Sequence, residues 1–130
     1  MLHGLDERTG ATQASIPVCG TPVHAAAGLG AVWVSCDHES VVQRVDPATN
    51  RVTATISATP DARLDPLAVH GGAVWVVGDS DNRVYRIDPA KLAVVAALTL
   101  DSEPRNLAFA DGDLWVAGFA AGQVFRIHLP

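Results

Sequence analysis

The chain has 130 residues, of which 48% are hydrophobic and 18% are charged. A chain of this length can bury a substantial core, and this composition excludes a disordered tail. The formal net charge is -5, with 9 basic against 14 acidic residues, so no nucleic-acid partner is expected. The longest purely apolar run, Leu92 to Leu98, is too short to span a membrane, so no membrane association is expected either.

The N-terminal sequence and the cysteines bear on the compartment. The first residues, MLHGLDERTG, contain no basic and apolar leader of the kind that directs secretion, so we expect a cytoplasmic protein. Two cysteines, Cys19 and Cys36, are too few for a disulfide scaffold. We expect both thiols to be free, with a disulfide or a soft-metal site as the alternatives.

An internal repeat runs through the chain and is marked by its three tryptophans. Trp33, Trp75 and Trp115 are separated by 42 and 40 residues, and each lies in a Gly-x-x-Trp-Val phrase. An arginine follows each tryptophan after eleven residues, in the phrases QRVD, YRID and FRIH. Short Val-, Ile- and Trp-rich segments bounded by Gly, Asp, Asn or Pro are typical of β-strands. About four strands in each repeat of 40 to 42 residues predict an all-β fold made of β-propeller blades.

In chain order, the predicted strands form three blade-equivalents. Residues 9–18 match only the last strand of a blade, residues 22–57 and 64–100 each hold four strands, and residues 105–130 hold the first three. The last blade thus lacks a fourth strand, while a spare fourth strand lies near the N-terminus. We therefore expect residues 9–18 to complete a blade by pairing with residues 123–127 of the same chain or of a second copy.

The number of blades predicts an assembly. Propellers have four to eight blades, and an open stack of three would expose strand edges and apolar faces. We expect a homodimer in which each chain gives its N-terminal strand to the other's last blade, so that two chains form a six-bladed ring. The alternatives are a fragment of a longer chain and one piece of a larger hetero-assembly.

The phrases GAVWV…VVQRVDPATNRVTATI and GAVWVVGDSDNRVYRIDPAKLAVVAAL resemble the repeats of the virginiamycin B lyase-like and YVTN-type β-propellers. The resemblance covers nearly the whole chain and implies the fold more than any one function, because such repeats serve enzymes, binding modules and sensors. It also implies, for the lyases, a Glu and a His two residues apart in the loop between the second and third strands, a further His and Mg²⁺. Here His38 fits that pattern, but Cys36 stands in the place of the Glu.

Candidate site residues gather at the predicted mouth of the propeller channel, where two sets of loops emerge on one face. His24 and His38 are the candidate catalytic residues, because an imidazole can take up and return a proton near neutral pH. Asp37 and Glu39 are candidate ligands for Mg²⁺ or another divalent cation, since carboxylate oxygens suit hard ions. The alternative interpretation is that all four are ordinary solvated loop residues.

Other polar residues differ between the repeats and are candidates for ligand binding. Arg105 and Asn106 stand where the second repeat has Asp65 and a proline, and an arginine there could meet a carboxylate or phosphate. We take Arg105, Asn106 and Asp65 as the predicted binding residues. The arginines that recur in every repeat are expected to be structural and to cover the tryptophans.

Two functions follow from these candidates. The first is a β-propeller binding or scaffold module that holds a small molecule or a peptide at the channel mouth. The alternative is a metal-assisted lyase or hydrolase related to virginiamycin B lyase, using His38 and His24. The first is favoured because the Glu-x-His pattern is absent.

Overall fold

The computed structural model describes residues 1–120 and 122–129. It contains thirteen β-strands in four antiparallel sheets, which confirms the predicted all-β fold. Within the described residues, no helix is of a length and apolarity that would let it cross a membrane. The strands are β1 (Leu2–Leu5), β2 (Thr12–Ile16), β3 (Pro22–Gly28), β4 (Ala31–Cys36), β5 (Val41–Asp46), β6 (Arg51–Ser57), β7 (Leu64–His70), β8 (Ala73–Gly78), β9 (Arg83–Asp88), β10 (Ala93–Thr99), β11 (Pro104–Ala110), β12 (Asp113–Gly118) and β13 (Gln123–His128).

Three of the sheets follow the predicted repeats, and we call them blades one, two and three. Blade one is ordered β3-β4-β5-β6, blade two β7-β8-β9-β10, and blade three β11-β12-β13. Every neighbouring pair is antiparallel and adjacent in sequence, so each blade is a simple meander. The first strands, β3, β7 and β11, lie side by side and form the inner edge of the stack.

Tight turns repeat from blade to blade and explain why the strands end where they do. Between the first and second strands of blade one, Leu29 and Gly30 have φ values of 55° and 73°, the backbone of a type I′ turn. The same pair of positions is Gly71 and Gly72 in blade two, with φ values of 58° and 73°. The glycine that opens each tryptophan phrase therefore has a left-handed backbone, which glycine adopts without steric cost.

A second repeated turn joins the third and fourth strands. The carboxylate of Asp46 accepts a hydrogen bond from the backbone N–H of Ala48 at 2.9 Å, and Asp88 accepts one from Ala90 at 2.8 Å. Asp6 accepts equivalent bonds from the two N–H groups of residues 8 and 9. Such side-chain to backbone bonds stabilise the turn locally. The N-terminal residues therefore form the same hairpin as the outer half of a blade.

This hairpin bears on the expected use of residues 9–18: pairing with residues 123–127 of the same chain is not observed in the described structure, while pairing with a second copy stays a prediction. Strand β2 pairs with β1, from Leu2 opposite Ile16 to Leu5 opposite Thr12, and not with β13 of the same chain. Within the described residues β13 pairs only with β12. The segment LHGL lacks the arginine of the repeat, and so its identity as a third strand is not evident from the sequence.

The core is divided among the interfaces between neighbouring sheets. Ile16 of the hairpin packs with Val34 and Val45 of blade one. Blades one and two enclose Trp33, which is fully buried, and blades two and three enclose Trp75. The predicted structural role of the recurring arginines is confirmed, because their guanidinium carbons lie 5.9, 5.8 and 5.2 Å from the ring centroids of the tryptophans. The pairs are Arg44 with Trp33, Arg86 with Trp75, and Arg126 with Trp115.

A disulfide joins Cys19 to Cys36, with the two Cα atoms 6.2 Å apart. The expectation of free thiols is therefore wrong. The chain leaving the hairpin returns toward blade one, where the backbone N–H of Cys19 donates to the side chain of Gln43, on β5, at 2.8 Å. This return brings Cys19 next to Cys36, which is fully buried. Sequence spacing alone does not reveal it.

Candidate functional site

The loops that follow the second strands form one face of the stack, which corresponds to the predicted channel mouth. Each loop begins with a backbone hydrogen bond to the carbonyl group that precedes the first strand of the same blade. These bonds hold the three loops in equivalent positions: Asp37 to Thr21 at 3.0 Å, Asp79 to Arg63 at 3.2 Å, and Phe119 to Glu103 at 2.8 Å. The two acids at these positions face the boundaries between blades, whereas Phe119 of blade three is exposed, at 68%.

Asp37 forms a close ion pair across the boundary between blades one and two. Arg63 donates two hydrogen bonds to its carboxylate, from Nε at 3.1 Å and from Nη2 at 2.9 Å. These hydrogen bonds from Arg63 hold the pKa of Asp37 below its ordinary value. Since a bidentate arginine occupies the carboxylate, Asp37 is poorly placed to act as the predicted metal ligand. Sequence reasoning missed Arg63, because it falls outside the repeated phrases.

The boundary between blades two and three has a looser arrangement. Arg105 lies 2.6 Å from a carboxylate oxygen of Glu103 but 3.7 Å from that of Asp79. Its guanidinium carbon is also 4.9 Å from the ring centroid of Phe119. Burial raises the pKa of Asp79 above its ordinary value, although the charge of Arg105 acts in the opposite direction. Asp79 is thus an acid that its surroundings do not fully stabilise as an anion.

These side chains line a polar groove of about 380 Å³. We call it the mouth groove, and its walls come from blades two and three. Arg105, predicted from the sequence as a binding residue, lies in it. The lining residues are Arg63, Asp79, Ser80, Asn82, Glu103 and Arg105.

The predicted metal ligand Glu39 is also bound by its neighbours. Its carboxylate accepts hydrogen bonds from the backbone N–H of Gly20 at 2.7 Å and from both the N–H and the hydroxyl group of Thr21. The hydrogen bond from the Thr21 hydroxyl is the main reason that the pKa of Glu39 is lowered. His38 lies beside this cluster with 66% of its side chain exposed, 3.8 Å from Asp37.

The other predicted residues lie on the inner strands. His24 is exposed on β3, and its Nδ1 accepts a long hydrogen bond of 3.5 Å from the backbone N–H of Leu67. Asp65, on β7, is half-buried, and its carbonyl oxygen accepts a hydrogen bond from Ser35. Asn106 is exposed on β11. These three residues therefore line the inner edge of the stack, separate from the residues of the mouth groove.

The positions of the side chains bear on the predicted metal site. Over residues 1–120 and 122–129, no group of three or more His, Cys, Asp or Glu side chains is placed so that it could hold a metal ion. The contacts of Asp37 and Glu39 give the physical reason, since each is already engaged by protein donors. The predicted use of Mg²⁺ or another divalent cation gains no support from these positions.

Known structures share this arrangement of sheets. Catalytically inactive virginiamycin B lyase from Staphylococcus aureus, solved with quinupristin, superposes with a TM-score of 0.79 and 18% identity over 95% of this chain. The protein has a β-propeller fold. BBS1N in complex with ARL6DN superposes on it with a TM-score of 0.75 and 20% identity over 93% of the chain. The WD40 β-propeller domain of Doa1 gives 0.68 and 18% over 82%.

This chain covers only part of each known structure. The chain spans 43% of the lyase structure, 38% of BBS1N and 36% of the Doa1 domain, so it corresponds to less than half of each β-propeller. No protein-family model matches it, and no curated protein matches it. The resemblance to virginiamycin B lyase-like propellers is confirmed at the level of the fold, while the YVTN label stays a prediction.

Proposed function

We propose that the protein is a β-propeller binding module that holds a small molecule or a peptide in the mouth groove. The observation that carries this proposal is the loose contact of Asp79, whose carboxylate lies 3.7 Å from Arg105 in the groove, while Arg105 pairs closely with Glu103 at 2.6 Å. At the equivalent boundary between blades one and two, Arg63 and Asp37 form a close bidentate pair. If Asp79 had only a structural role, we would expect it to form the same close contact with an arginine that Asp37 forms with Arg63. An acid that is left incompletely partnered in a groove, as Asp79 is, is typical of binding sites.

The charges of the groove define the ligand that would suit it. Arg105 is 45% exposed and, beside its pair with Glu103, has further N–H donors that can meet a carboxylate. Asp79 and Glu103, on the same walls, can accept hydrogen bonds from an amine, an amide or a hydroxyl group. A peptide with a free carboxylate, or a small molecule with the same two kinds of group, meets both requirements.

The metal-assisted lyase or hydrolase predicted as the alternative has less support. It needs Asp37 or Glu39 to hold an ion, and both carboxylates are occupied by protein donors. His38 and His24 stay candidate catalytic residues without a contact that favours the role.

The proposed function can be tested by following the backbone amide signals of labelled protein by NMR while triglycine is added. We expect shifts confined to the groove residues, around positions 63, 79–82 and 103–105. Because a hydrogen-bonded charge is lost, Arg105→Ala should weaken binding by roughly tenfold. The control is Arg44→Ala, which removes an arginine outside the groove and should bind normally. Equal binding by the two variants, or no shifts in the groove, would contradict the proposal.

We also propose that a second copy of the chain covers blade three. Support comes from the unpaired edge of β13 in the described structure and from the exposure of Val124, at 66%, on that blade. Leu5 of the N-terminal hairpin is similarly exposed, at 59%. Because β2 is already paired with β1, the hairpin would dock as a unit, in place of the exchange of a single strand expected from the sequence.

A further inference from the structure

The mouth groove and its border hold more negative than positive charge. Two guanidinium groups meet three carboxylates there, those of Asp37, Asp79 and Glu103. Each guanidinium group has one close partner, because Arg63 lies 2.9 Å from Asp37 and Arg105 lies 2.6 Å from Glu103. The third carboxylate, that of Asp79, approaches Arg105 only to 3.7 Å. The unmatched charge of the groove is therefore negative and lies on Asp79.

Asp79 also differs from the other acids in its hydrogen bonds. Among the described residues, the acids with a lowered pKa all accept hydrogen bonds from protein donors; they are Asp6, Asp37, Glu39, Asp88 and Asp113. The pKa of Asp79 is raised, chiefly by burial, and no such donor in the described part of the chain acts on it. Its side chain is still 18% exposed. A donor from outside the protein can therefore reach this carboxylate.

The charges around Asp79 come from both neighbouring blades. The carboxylates of Asp37 and Asp65 raise its pKa further. The guanidinium groups of Arg105 and Arg63 act in the opposite direction, but both are held by closer acids. A cation that entered the groove would therefore find Asp79 free to pair with it.

The lining of the groove indicates which kind of cation fits. Within residues 1–120 and 122–129, no three His, Cys, Asp or Glu side chains stand close enough together to hold a metal ion. An ammonium group has different needs, because its three N–H donors can bond to hydroxyl and amide oxygens as well as to carboxylates. Ser80, Asn82 and Glu103 supply such oxygens around Asp79. The groove therefore suits an ammonium group better than a metal ion.

We infer that the mouth groove recognises its ligand chiefly by a primary ammonium group, such as the amino terminus of a peptide, which pairs with Asp79. Hydrogen bonds between two charged groups are stronger than those between neutral ones, and this pair matches the unpartnered charge of the groove. A ligand carboxylate gains less, because it has to share Arg105 with Glu103. The inference rests on the proposed function and makes the cation of the ligand its stronger requirement.

Three probes test the inference on the unmodified protein, by the NMR titration described for triglycine. Triglycine carries an ammonium group and a carboxylate, triglycinamide only the ammonium group, and N-acetyltriglycine only the carboxylate. We expect triglycinamide to bind in the groove and N-acetyltriglycine to bind roughly tenfold more weakly than triglycine, because a charge-assisted hydrogen bond is lost. If N-acetyltriglycine binds at least as tightly as triglycinamide, the inference is wrong and the proposed function stands. If none of the three binds, both are overturned.

Asp79→Asn tests whether Asp79 is the partner of the ammonium group. The variant should stay folded, since it removes a largely buried charge that lacks a hydrogen bond. We expect it to bind triglycine roughly tenfold more weakly and N-acetyltriglycine as the unmodified protein does, because removing both partners of one contact costs no more than removing one.

The matched control is Asp111→Asn, which neutralises an exposed aspartate outside the groove and should leave triglycine binding unchanged. Equal binding of triglycine by Asp79→Asn and Asp111→Asn would overturn the inference. An equal loss of triglycine and N-acetyltriglycine binding in Asp79→Asn would overturn it too, since the effect would then not depend on the ammonium group.

Discussion

At the scale of single residues, Asp37 and Asp79 occupy the same place in successive blades, four residues after a tryptophan. Their surroundings shift the two pKa values in opposite directions. Hydrogen bonds from Arg63 lower the pKa of Asp37, while burial raises the pKa of Asp79. Carboxyl groups at equivalent backbone positions therefore differ in pKa, because their surroundings at the two blade boundaries differ.

This contrast predicts opposite effects on stability. At pH 7, Asp37→Asn should lower the free energy of unfolding, whereas Asp79→Asn should raise it. Asp37 contributes to the free energy of unfolding above the pKa that it has in the unfolded chain, near 3.8. This contribution is lost as the pH falls through the lower pKa that Asp37 has in the folded protein. For Asp79 the sign reverses, because stability is lost as the pH rises from 3.8 through its higher folded pKa. Urea unfolding between pH 3 and pH 7 measures both, and effects of the same sign would contradict the assignment.

At the scale of elements, the disulfide ties the segment after the N-terminal hairpin to the end of β4. The sequence separation of 17 residues corresponds to a contribution of about 3 kcal/mol to stability. A variant with both Cys19→Ala and Cys36→Ala should lose about that amount in denaturant unfolding. Reductant should destabilise the unmodified protein similarly and leave the double variant unchanged. Two titratable thiols in the untreated folded protein would show that the bond is not formed.

The disulfide also bears on the expected cytoplasmic location, which stays a prediction. Disulfides persist mainly in oxidising compartments and are rare in the cytosol. The thiol titration, carried out on protein isolated under non-reducing conditions, would therefore inform the location as well as the stability.

The strands of the blades could be predicted because every repeat reuses the same phrases, and Trp33, Trp75 and Trp115 mark the registers. Residues 9–18 could be predicted as a strand for the same reason, but their partner β1 could not, since it carries neither the tryptophan nor the arginine of the repeat. Arg105 was found from its failure to repeat. The partners that define its environment depend on how neighbouring blades align, and a single sequence does not specify this alignment.

At the scale of the whole molecule, the proposed second copy can be detected by mass. Size-exclusion chromatography with light scattering should give twice 13.6 kDa for the unmodified chain. Val124→Lys should shift the protein toward the monomer, because it places a charge in the covered surface. Val95→Lys, at another exposed position on blade two, should not. A stable monomer for the unmodified chain would contradict the proposed pairing.

The three hydrophobic clusters lie one after another along the stack of sheets. Among the described residues, each hydrophobic cluster joins neighbouring sheets, so we expect the free energy of folding to be roughly a sum over successive interfaces. Blades one and two each have a covered face on both sides, while the hairpin and blade three have one. For a single chain, we therefore expect opening to begin at the hairpin and at blade three and to progress inward. We therefore expect a structural change at the outer edge of blade three to affect the packing of Trp33 only by way of the side chains of blade two, which include Trp75 and Tyr85.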